Sequence, residues 1–124
     1  MNNVETGKIG ENSANEYLIN NGYSILTRNH KERFDEIDII ARHPNGVLVF
    51  CEVKTLNKYG DFDSGFMPED NFGGVKLKKM IRAANILLAR RPGLIKNGRG
   101  WQIDLIAVIL ENGTVADLRH YENI

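Results

Sequence analysis

The sequence has one cysteine, no long apolar run and no excess of either charge. A single cysteine cannot form an internal disulfide, and the position of Cys51 inside an apolar strand predicts a packing role in a reducing compartment. No spaced Cys/His cluster of the kind that holds zinc is present. Because no run could span a membrane and the polar segment Met1–Lys8 is unlike a signal peptide, we expect a cytoplasmic protein.

The charges are balanced, with 16 Lys and Arg against 16 Asp and Glu. This balance excludes binding to nucleic acid through overall basicity, so any such partner must be held by local patches. The 124 residues fit one domain, residues 1–124. A chain of that length buries roughly two-thirds of the surface that its unfolded form exposes, so it needs no disulfides for stability.

Hydrophobic periodicity and turn residues predict the element order α-β-β-β-α-β-β. The strand–helix–strand step in the second half favours an α/β fold with a central mixed sheet and helices packed on it. The predicted elements are helices over Asn3–Asn21 and Val75–Arg91, strands over Tyr23–Asn29, Glu36–His43, Val47–Thr55, Trp101–Leu110 and Thr114–Arg119, a polar turn over Lys31–Asp35 and a long polar loop over Leu56–Gly74.

Three charges interrupt the central hairpin "EIDIIARHPNGVLVFCEVKT": Asp38, Glu52 and Lys54. Alternation along a strand places Glu52 and Lys54 on one face. Whether Asp38 shares that face depends on the turn. A three-residue Pro44-Asn45-Gly46 turn places Asp38 opposite Glu52, whereas a two-residue Asn-Gly turn shifts the register by one residue and separates them. Proline suits the first central position of the three-residue turn, which we therefore favour.

Two carboxylates on one sheet face repel each other and need a counterion, a raised pKa or a divalent cation. An all-oxygen site of this kind suits Mg²⁺ or Mn²⁺. Lys54 beside it can offset charge, orient a water or stabilise negative charge on a phosphate. The alternative is that all three residues lie on a solvated face and form ordinary ion pairs.

Both helices carry charges that bear on this choice. Glu11 lies on the same stripe of the first helix as Ala14 and Leu18, which should face the sheet, so it supplies a third acid. The second helix has a basic face opposite its apolar stripe. That face is either simply solvated or able to hold a phosphate backbone. Its basic residues are Lys76, Lys78, Lys79, Arg82, Arg90 and Arg91.

Two further acids are weaker candidates. Glu36 should share the face of Asp38, although its place at the start of a strand makes simple exposure the better explanation. Asp104 interrupts the apolar run Ile103–Leu110, and we expect a structural acid that accepts hydrogen bonds. The adjacent Trp101 is expected to pack in the core or at its edge rather than to stack on bases.

Asp38 followed by Glu52-Val53-Lys54 resembles the motif of the PD-(D/E)XK nucleases, with Ile37 at the position of the proline. A wider set of segments, in the same order along the chain, is similar to the YraN-like family of that superfamily, which itself resembles archaeal Holliday-junction resolvases. These segments are "GKIGENSANEYLINNGYSILTRN", "EIDIIA", "VFCEVKT", Lys76 with Ala83-Ala84, and "QIDLIAVI".

This resemblance implies a restriction endonuclease-like fold and metal-dependent hydrolysis of DNA, including branched or structured DNA. It implies that Asp38, Glu52 and the Val53 carbonyl hold Mg²⁺ or Mn²⁺ and that Lys54 orients the attacking water. Glu11 completes the site directly, through water or at a second ion. Lys76 matches a family position for contact with phosphate. Lys79 and Arg82 extend that basic face, and a homodimer is compatible with the cutting of two strands.

Two other functions remain open. One is a nucleic-acid-binding module with the nuclease fold and a vestigial site, in which the acids bind metal poorly and the basic helix provides the affinity. The other is a structural or partner-binding protein that kept only the fold. Fold analogy does not decide between them and an active enzyme.

Overall fold

Five strands form one mixed sheet, in the spatial order β1-β2-β3-β4-β5, in the computed structural model. The structure describes residues 2–33, 35–59 and 74–124. The predicted α/β class and element order are confirmed. The elements are α1 Asn3–Asn20, β1 Ser24–Glu32, β2 Asp35–Arg42, β3 Leu48–Asn57, α2 Gly74–Arg90, β4 Trp101–Glu111 and β5 Thr114–Tyr121, with a short 3₁₀ turn at Pro92–Leu94.

The strand directions follow from the connections. β1, β2 and β3 pair antiparallel in sequence order, and β5 pairs antiparallel with β4. The pair β3 and β4 is parallel, as expected for two strands separated by a helix in the chain. β1 and β5 are therefore the two edges of the sheet.

The helices cover opposite faces of the sheet and form two apolar layers. The first layer packs α1 against β2, β3 and β4, and the second packs α2 against the same strands. Each fully buried aliphatic side chain stabilises the fold by about 1.5–3 kcal/mol. The buried residues are Ala14, Leu18, Tyr23, Ile39, Ala41, Val49, Cys51, Ile106, Val108 and Leu110 on the α1 side, and Ile37, Ile40, Leu48, Phe50, Met80, Ala83, Ala84, Leu87, Ile103 and Leu105 on the α2 side.

Helix α1 is fixed at its start and along its length. The side chain of Asn2 accepts a hydrogen bond from the Glu5 backbone N–H at 2.8 Å, which caps the helix. Farther along, Gly10 lies so close to β3 that a Cβ atom at this position would be 1.8 Å from Oγ1 of Thr55. This close approach fixes the position of the next residue, Glu11, relative to the end of β3.

Two predictions about single side chains in the core are confirmed. Cys51 is fully buried, and burial raises the pKa of its thiol well above the ordinary value, which keeps it unreactive. Trp101 is partly buried and packs edge-to-face on Phe50, with 5.5 Å between ring centroids. Both residues have packing roles.

The predicted turn over Lys31–Asp35 is wrong, because the strands extend into it. β1 continues to Glu32, which pairs directly with Asp35 at the start of β2. The polar residues suggested a turn, but Glu32 and Asp35 can lie in strands because arginines of α2 neutralise them. Arg90 pairs with Glu32 at 2.7 Å and Arg82 with Asp35 at 2.8 Å.

The predicted loop over Leu56–Gly74 is shortened at its start. Leu56 and Asn57 belong to β3, and residues 60–73 lie outside the described residues. In the described ranges, no helix is long and apolar enough to cross a membrane.

Candidate active site

The hairpin that joins β2 and β3 adopts the three-residue turn. The His43 N–H donates to the Val47 carbonyl at 2.9 Å, and the Gly46 N–H donates to the His43 carbonyl at 2.8 Å. Gly46 has φ +97°, in the left-handed region that glycine tolerates. The ladder from Arg42 opposite Leu48 to Ile39 opposite Cys51 follows the favoured register. The next pair in that register is Asp38 and Glu52.

Beyond Ile39 and Cys51, a side chain takes over from the backbone ladder. Oδ2 of Asp38 accepts a hydrogen bond from the Val53 backbone N–H at 2.8 Å. The two strands therefore open into a fork that the Asp38 carboxyl bridges. Glu52 lies beside this fork and is buried, with 8% of its surface exposed.

The pKa of the Asp38 carboxyl is raised to about 7. Burial is the largest cause, and the charge of Glu52 is the next. The Val53 N–H acts in the opposite direction, while the charge of Glu11 and a hydrogen bond with Glu52 raise the pKa further. Asp38 and Glu52 thus form a close carboxyl pair in which burial and mutual repulsion disfavour the charged form of Asp38.

Glu52 has one cationic partner in the described chain. Nζ of Lys76, at the start of α2, forms a short ion pair with Oε1 of Glu52. Lys76 and Lys54 both line a cavity of about 950 Å³ that opens over Asp38 and Glu52. The fork therefore lies at the wall of a cavity with two lysines, and Lys54 is half-buried there.

Glu11 lines the same cavity, as the helix stripe predicted, and its side chain is 16% exposed. Its Oε1 accepts hydrogen bonds from Nε of Arg28 at 3.2 Å and from the Asn29 side chain at 3.0 Å. Arg28 also donates to Asn12 at 2.6 Å. Residues of β1 therefore hold Glu11 at the rim of the cavity.

Arg28 and Asn29 are residues of the candidate site that the sequence did not reveal. Both line the cavity, and Asn29 has φ +53°, an uncommon conformation for a residue within a strand. The available signal was an arginine at the end of the otherwise apolar and neutral "SILT" run. That signal alone does not show that β1 brings this residue to α1.

The remaining predicted residues are distributed over the surface. Glu36 is exposed, as expected, and also lines the cavity. Lys79 and Arg82 are exposed on α2 and do not line it. Arg82 instead makes a two-pronged contact with Asp35. The basic face of α2 is thus partly neutralised by acids of the β1–β2 hairpin.

Asp104 lies apart from this site, fully buried beneath α1. Its oxygens accept hydrogen bonds from Nε2 of Gln102 at 2.9 Å and the backbone N–H of Asn123 at 3.0 Å. Nε2 of His120 lies 2.6 Å from Oδ2, and the other ring nitrogen of His120 bonds the Tyr17 hydroxyl. Since protein groups satisfy both oxygens, the expected structural role is supported.

Asp104, His120 and Glu122 have ligand atoms within 4.8 Å of one another, the separation that a metal site needs. Both oxygens of Asp104 are already engaged in hydrogen bonds, and Glu122 is exposed. The carboxyl pair at the fork differs, because burial and the charge of Glu52 raise the pKa of Asp38, and a cation would offset this repulsion. That pair is where the donor set suits a hard divalent cation with oxygen ligands.

Comparison with known proteins relates this chain to a single protein family. The model of a family described as "Uncharacterised protein family UPF0102" matches residues 10–108. A UPF0102 protein of Persephonella marina is 42% identical over 106 residues, 86% of this chain and 84% of that protein. One of Pseudothermotoga lettingae is 37% identical over 117 residues, covering 94% and 95%, and one of Dictyoglomus turgidum is 36% identical over 124 residues, covering 99% and 98%.

Proposed function

The chain belongs to the uncharacterised UPF0102 family, and from the geometry of its cavity we propose that it hydrolyses phosphodiester bonds of DNA with a divalent cation. The observation that carries the proposal is the carboxyl pair of half-buried Asp38 and buried Glu52, which shares an open cavity with Lys54. Membership of the PD-(D/E)XK nuclease superfamily, with Mg²⁺ or Mn²⁺ as the cation, is part of this proposal.

The carboxyl pair fits such a cation on electrostatic grounds. Burial and mutual repulsion raise the pKa of Asp38 to about 7, so the pair is unstable as two free charges. A divalent cation relieves this repulsion, and oxygen ligands are those that Mg²⁺ and Mn²⁺ favour. Asp38 and Glu52 would hold the ion, and Val53, which also lines the cavity, would add its carbonyl.

The bound ion would supply a polarised phosphate and a more acidic water. Lys54 orients that water and stabilises the negative charge that develops on the phosphate. The hydrogen bond from Val53 fixes Asp38 at the fork. Glu11, held by Arg28 and Asn29, defines the rim on the α1 side.

Lys76 has a separate role in this scheme. Its ammonium group forms an ion pair with Glu52. A cation held by Glu52 would take the place of this lysine, and the ammonium group would then be available to a phosphate of the substrate. Lys79, exposed on the same helix, extends this positive surface along a DNA backbone, and Arg82 adds to it only by sharing its contact with Asp35.

A cleavage assay tests the proposal. Duplex, single-stranded, flap and four-way DNA are incubated with Mg²⁺ or Mn²⁺ and the wild-type chain, Lys54→Ala or Lys58→Ala. Lys58 is the matched control because it lies beyond β3 and pairs with Glu111 at 3.5 Å. We expect cleavage by the wild type and Lys58→Ala and its loss in Lys54→Ala. Cleavage that persists unchanged in Lys54→Ala contradicts the mechanism.

One observation favours a second candidate function, a DNA-binding module with a vestigial site. The ion pair between Lys76 and Glu52 can neutralise the acid permanently instead of giving way to a cation. This function predicts DNA binding without cleavage on any substrate. It also predicts that Mn²⁺ does not bind at millimolar concentration, which calorimetry can measure.

A further inference from the structure

A second groove, distinct from the cavity at the fork, lies where β1, β2 and the end of α2 meet. It has a volume of about 540 Å³. Its floor is apolar, with Leu26, Ile40 and Leu87. Its lining also includes the ring of His30, which bonds Glu32 at 2.9 Å, and three cations, Arg42, Arg91 and Lys96.

The groove belongs to a strongly basic part of the chain that the zero net charge conceals. Residues 71–103 contain eight of the 16 Lys and Arg residues and no Asp or Glu, so they carry a formal charge of +8. The other residues contain the remaining eight basic residues and all 16 acids, which gives −8. The chain is therefore charge-segregated, and a polyanion can be attracted to one side of it.

Within this basic segment, the described cations fall into two groups. Lys76, Arg82 and Arg90 each form an ion pair with an acid of the sheet. In the ranges that the structure describes, Arg91 and Lys96 form no salt bridge, and both are exposed. Of the described cations of this segment without a salt bridge, Arg91 and Lys96 line the groove, whereas Lys78, Lys79 and Arg99 do not.

Arg42 gives the groove a fixed cationic wall. Its guanidinium donates to the Gly46 carbonyl at 3.2 Å and to the Leu94 carbonyl at 2.9 Å. These bonds hold the side chain between the hairpin turn and the segment after α2. A pre-positioned arginine loses little conformational entropy when an anion binds beside it.

The position of the groove relative to the fork matches a DNA backbone. Arg42 and Asp38 lie four residues apart on β2, so about 13 Å separates them along the strand. Phosphates of one DNA strand advance about 3.4 Å along the helix axis for each nucleotide. This separation corresponds to about four phosphate steps, a span that one DNA backbone can cover.

We propose that the groove bounded by Arg42, Arg91 and Lys96 is a second phosphate site, which binds the DNA backbone several base pairs from the bond that is cut. The proposal rests on the proposed function. In this arrangement the fork performs the chemistry and the groove sets the direction in which the DNA lies. Arg91 and Lys96 provide the ionic contacts, and Arg42 shapes the wall.

The test measures DNA affinity against salt for the whole chain with Mn²⁺ replaced by Ca²⁺, so that chemistry does not interfere. Arg91→Gln, the double variant Arg91→Gln with Lys96→Gln, and the control Arg119→Gln on edge strand β5 are compared with the wild type. We expect the slope of log affinity against log salt to fall by about one for each groove residue neutralised, and to remain unchanged in the control. Affinity of the double variant for Mn²⁺ should equal that of the wild type.

The outcomes separate this proposal from the one on which it rests. If the wild type binds DNA and the double variant shows the same slope as Arg119→Gln, the groove is not a phosphate site, although the nuclease proposal stands. If the wild type binds no DNA at any salt concentration, both proposals fail. A thermal melt of each variant shows whether the fold is intact, because exposed arginines and lysines contribute little to stability.

Discussion

Oδ2 of Asp38 accepts the backbone N–H of Val53 at 2.8 Å, where the backbone ladder between β2 and β3 ends. This contact holds the carboxyl beside Glu52, and it is the one backbone hydrogen bond to this carboxyl among the described residues. Burial and the charge of Glu52 outweigh this bond and raise the pKa of Asp38 to about 7.

This raised pKa predicts how stability depends on pH. The unfolded chain loses the Asp38 proton near pH 3.8, whereas the folded chain keeps it until about pH 7. The native state therefore loses stability as the pH rises through this window. Asp38→Asn, which cannot ionise and keeps an acceptor for Val53, should be more stable than the wild type at pH 8, by at most about 4 kcal/mol.

Thermal melts between pH 4 and pH 8 without divalent cations measure this effect. The stability advantage of Asp38→Asn over the wild type should grow across the window and be smallest at pH 4. The same comparison with exposed Asp117→Asn should show no such trend. A difference that is independent of pH would mean that Asp38 ionises as an exposed aspartate does.

The ion pair between Lys76 and Glu52 predicts competition with the metal. Removing the ammonium group in Lys76→Met leaves the carboxyl pair without its cation. We expect Mn²⁺ to bind about three- to tenfold more tightly to this variant, the range for removal of one part-exposed charge. Calorimetry measures the affinity, and Lys79→Met, on the same helix but outside the cavity, is the control.

Equal affinity of Lys76→Met and the wild type for Mn²⁺ would show that the lysine does not compete. A loss of affinity would show that Lys76 helps to hold the site together. DNA affinity in the presence of the metal should fall in Lys76→Met, because the released lysine is expected to contact phosphate. The two measurements together distinguish competition from simple structural support.

The hairpin shows how far local chemistry predicts this fold. Pro44-Asn45-Gly46 specifies a turn length, the turn length specifies the register, and the register places Asp38 opposite Glu52. Each of these steps depends on neighbouring residues, so the sequence alone was sufficient. The stripe of Glu11, Ala14 and Leu18 was predictable for the same reason, because helical spacing is also local.

The contacts made by Arg28, Arg82 and Lys76 depend on tertiary placement instead. Arg28 reaches Glu11 only because β1 returns along α1, and Arg82 pairs with Asp35 only because α2 crosses the β1–β2 hairpin. No spacing rule joins residues 17 or 47 positions apart. The polar turn predicted at Lys31–Asp35 failed for this reason, since its neutralising partners come from a distant helix.

The close approach of α1 to β3 predicts the effect of a single methyl group. Gly10→Ala gains helix propensity of about 1 kcal/mol, but its Cβ would lie 1.8 Å from Oγ1 of Thr55. Overpacking of this kind costs about 1–3 kcal/mol, and here the neighbour belongs to a central strand. We therefore expect a net loss of stability and a displacement of Glu11 from the cavity.

Denaturant unfolding of Gly10→Ala, Thr55→Ala and the double variant measures this interaction as a cycle. The double variant should recover part of the stability lost in Gly10→Ala, since two of the three crowding atoms are then absent. Gly7→Ala is the matched control, because its Cβ meets no atom within 4 Å. If Gly10→Ala is as stable as Gly7→Ala, the helix can move from the strand without cost.

The buried hydrogen bonds of Asp104 predict that its substitution lowers the stability of the fold and leaves the fork unaffected. The carboxylate is fully buried and accepts bonds from Gln102 and Asn123, with His120 at 2.6 Å. Asp104→Asn removes the buried negative charge and one of the two acceptor oxygens, so the hydrogen bonds from Gln102, Asn123 and His120 cannot all be kept. The expected cost is about 2–4 kcal/mol, against less than about 0.5 kcal/mol for exposed Asp117→Asn.

Because Asp104 does not line the cavity, the affinity for Mn²⁺ measured below the melting temperature should equal that of the wild type. A parallel loss of stability and Mn²⁺ affinity would mean that the buried network and the fork act as one unit.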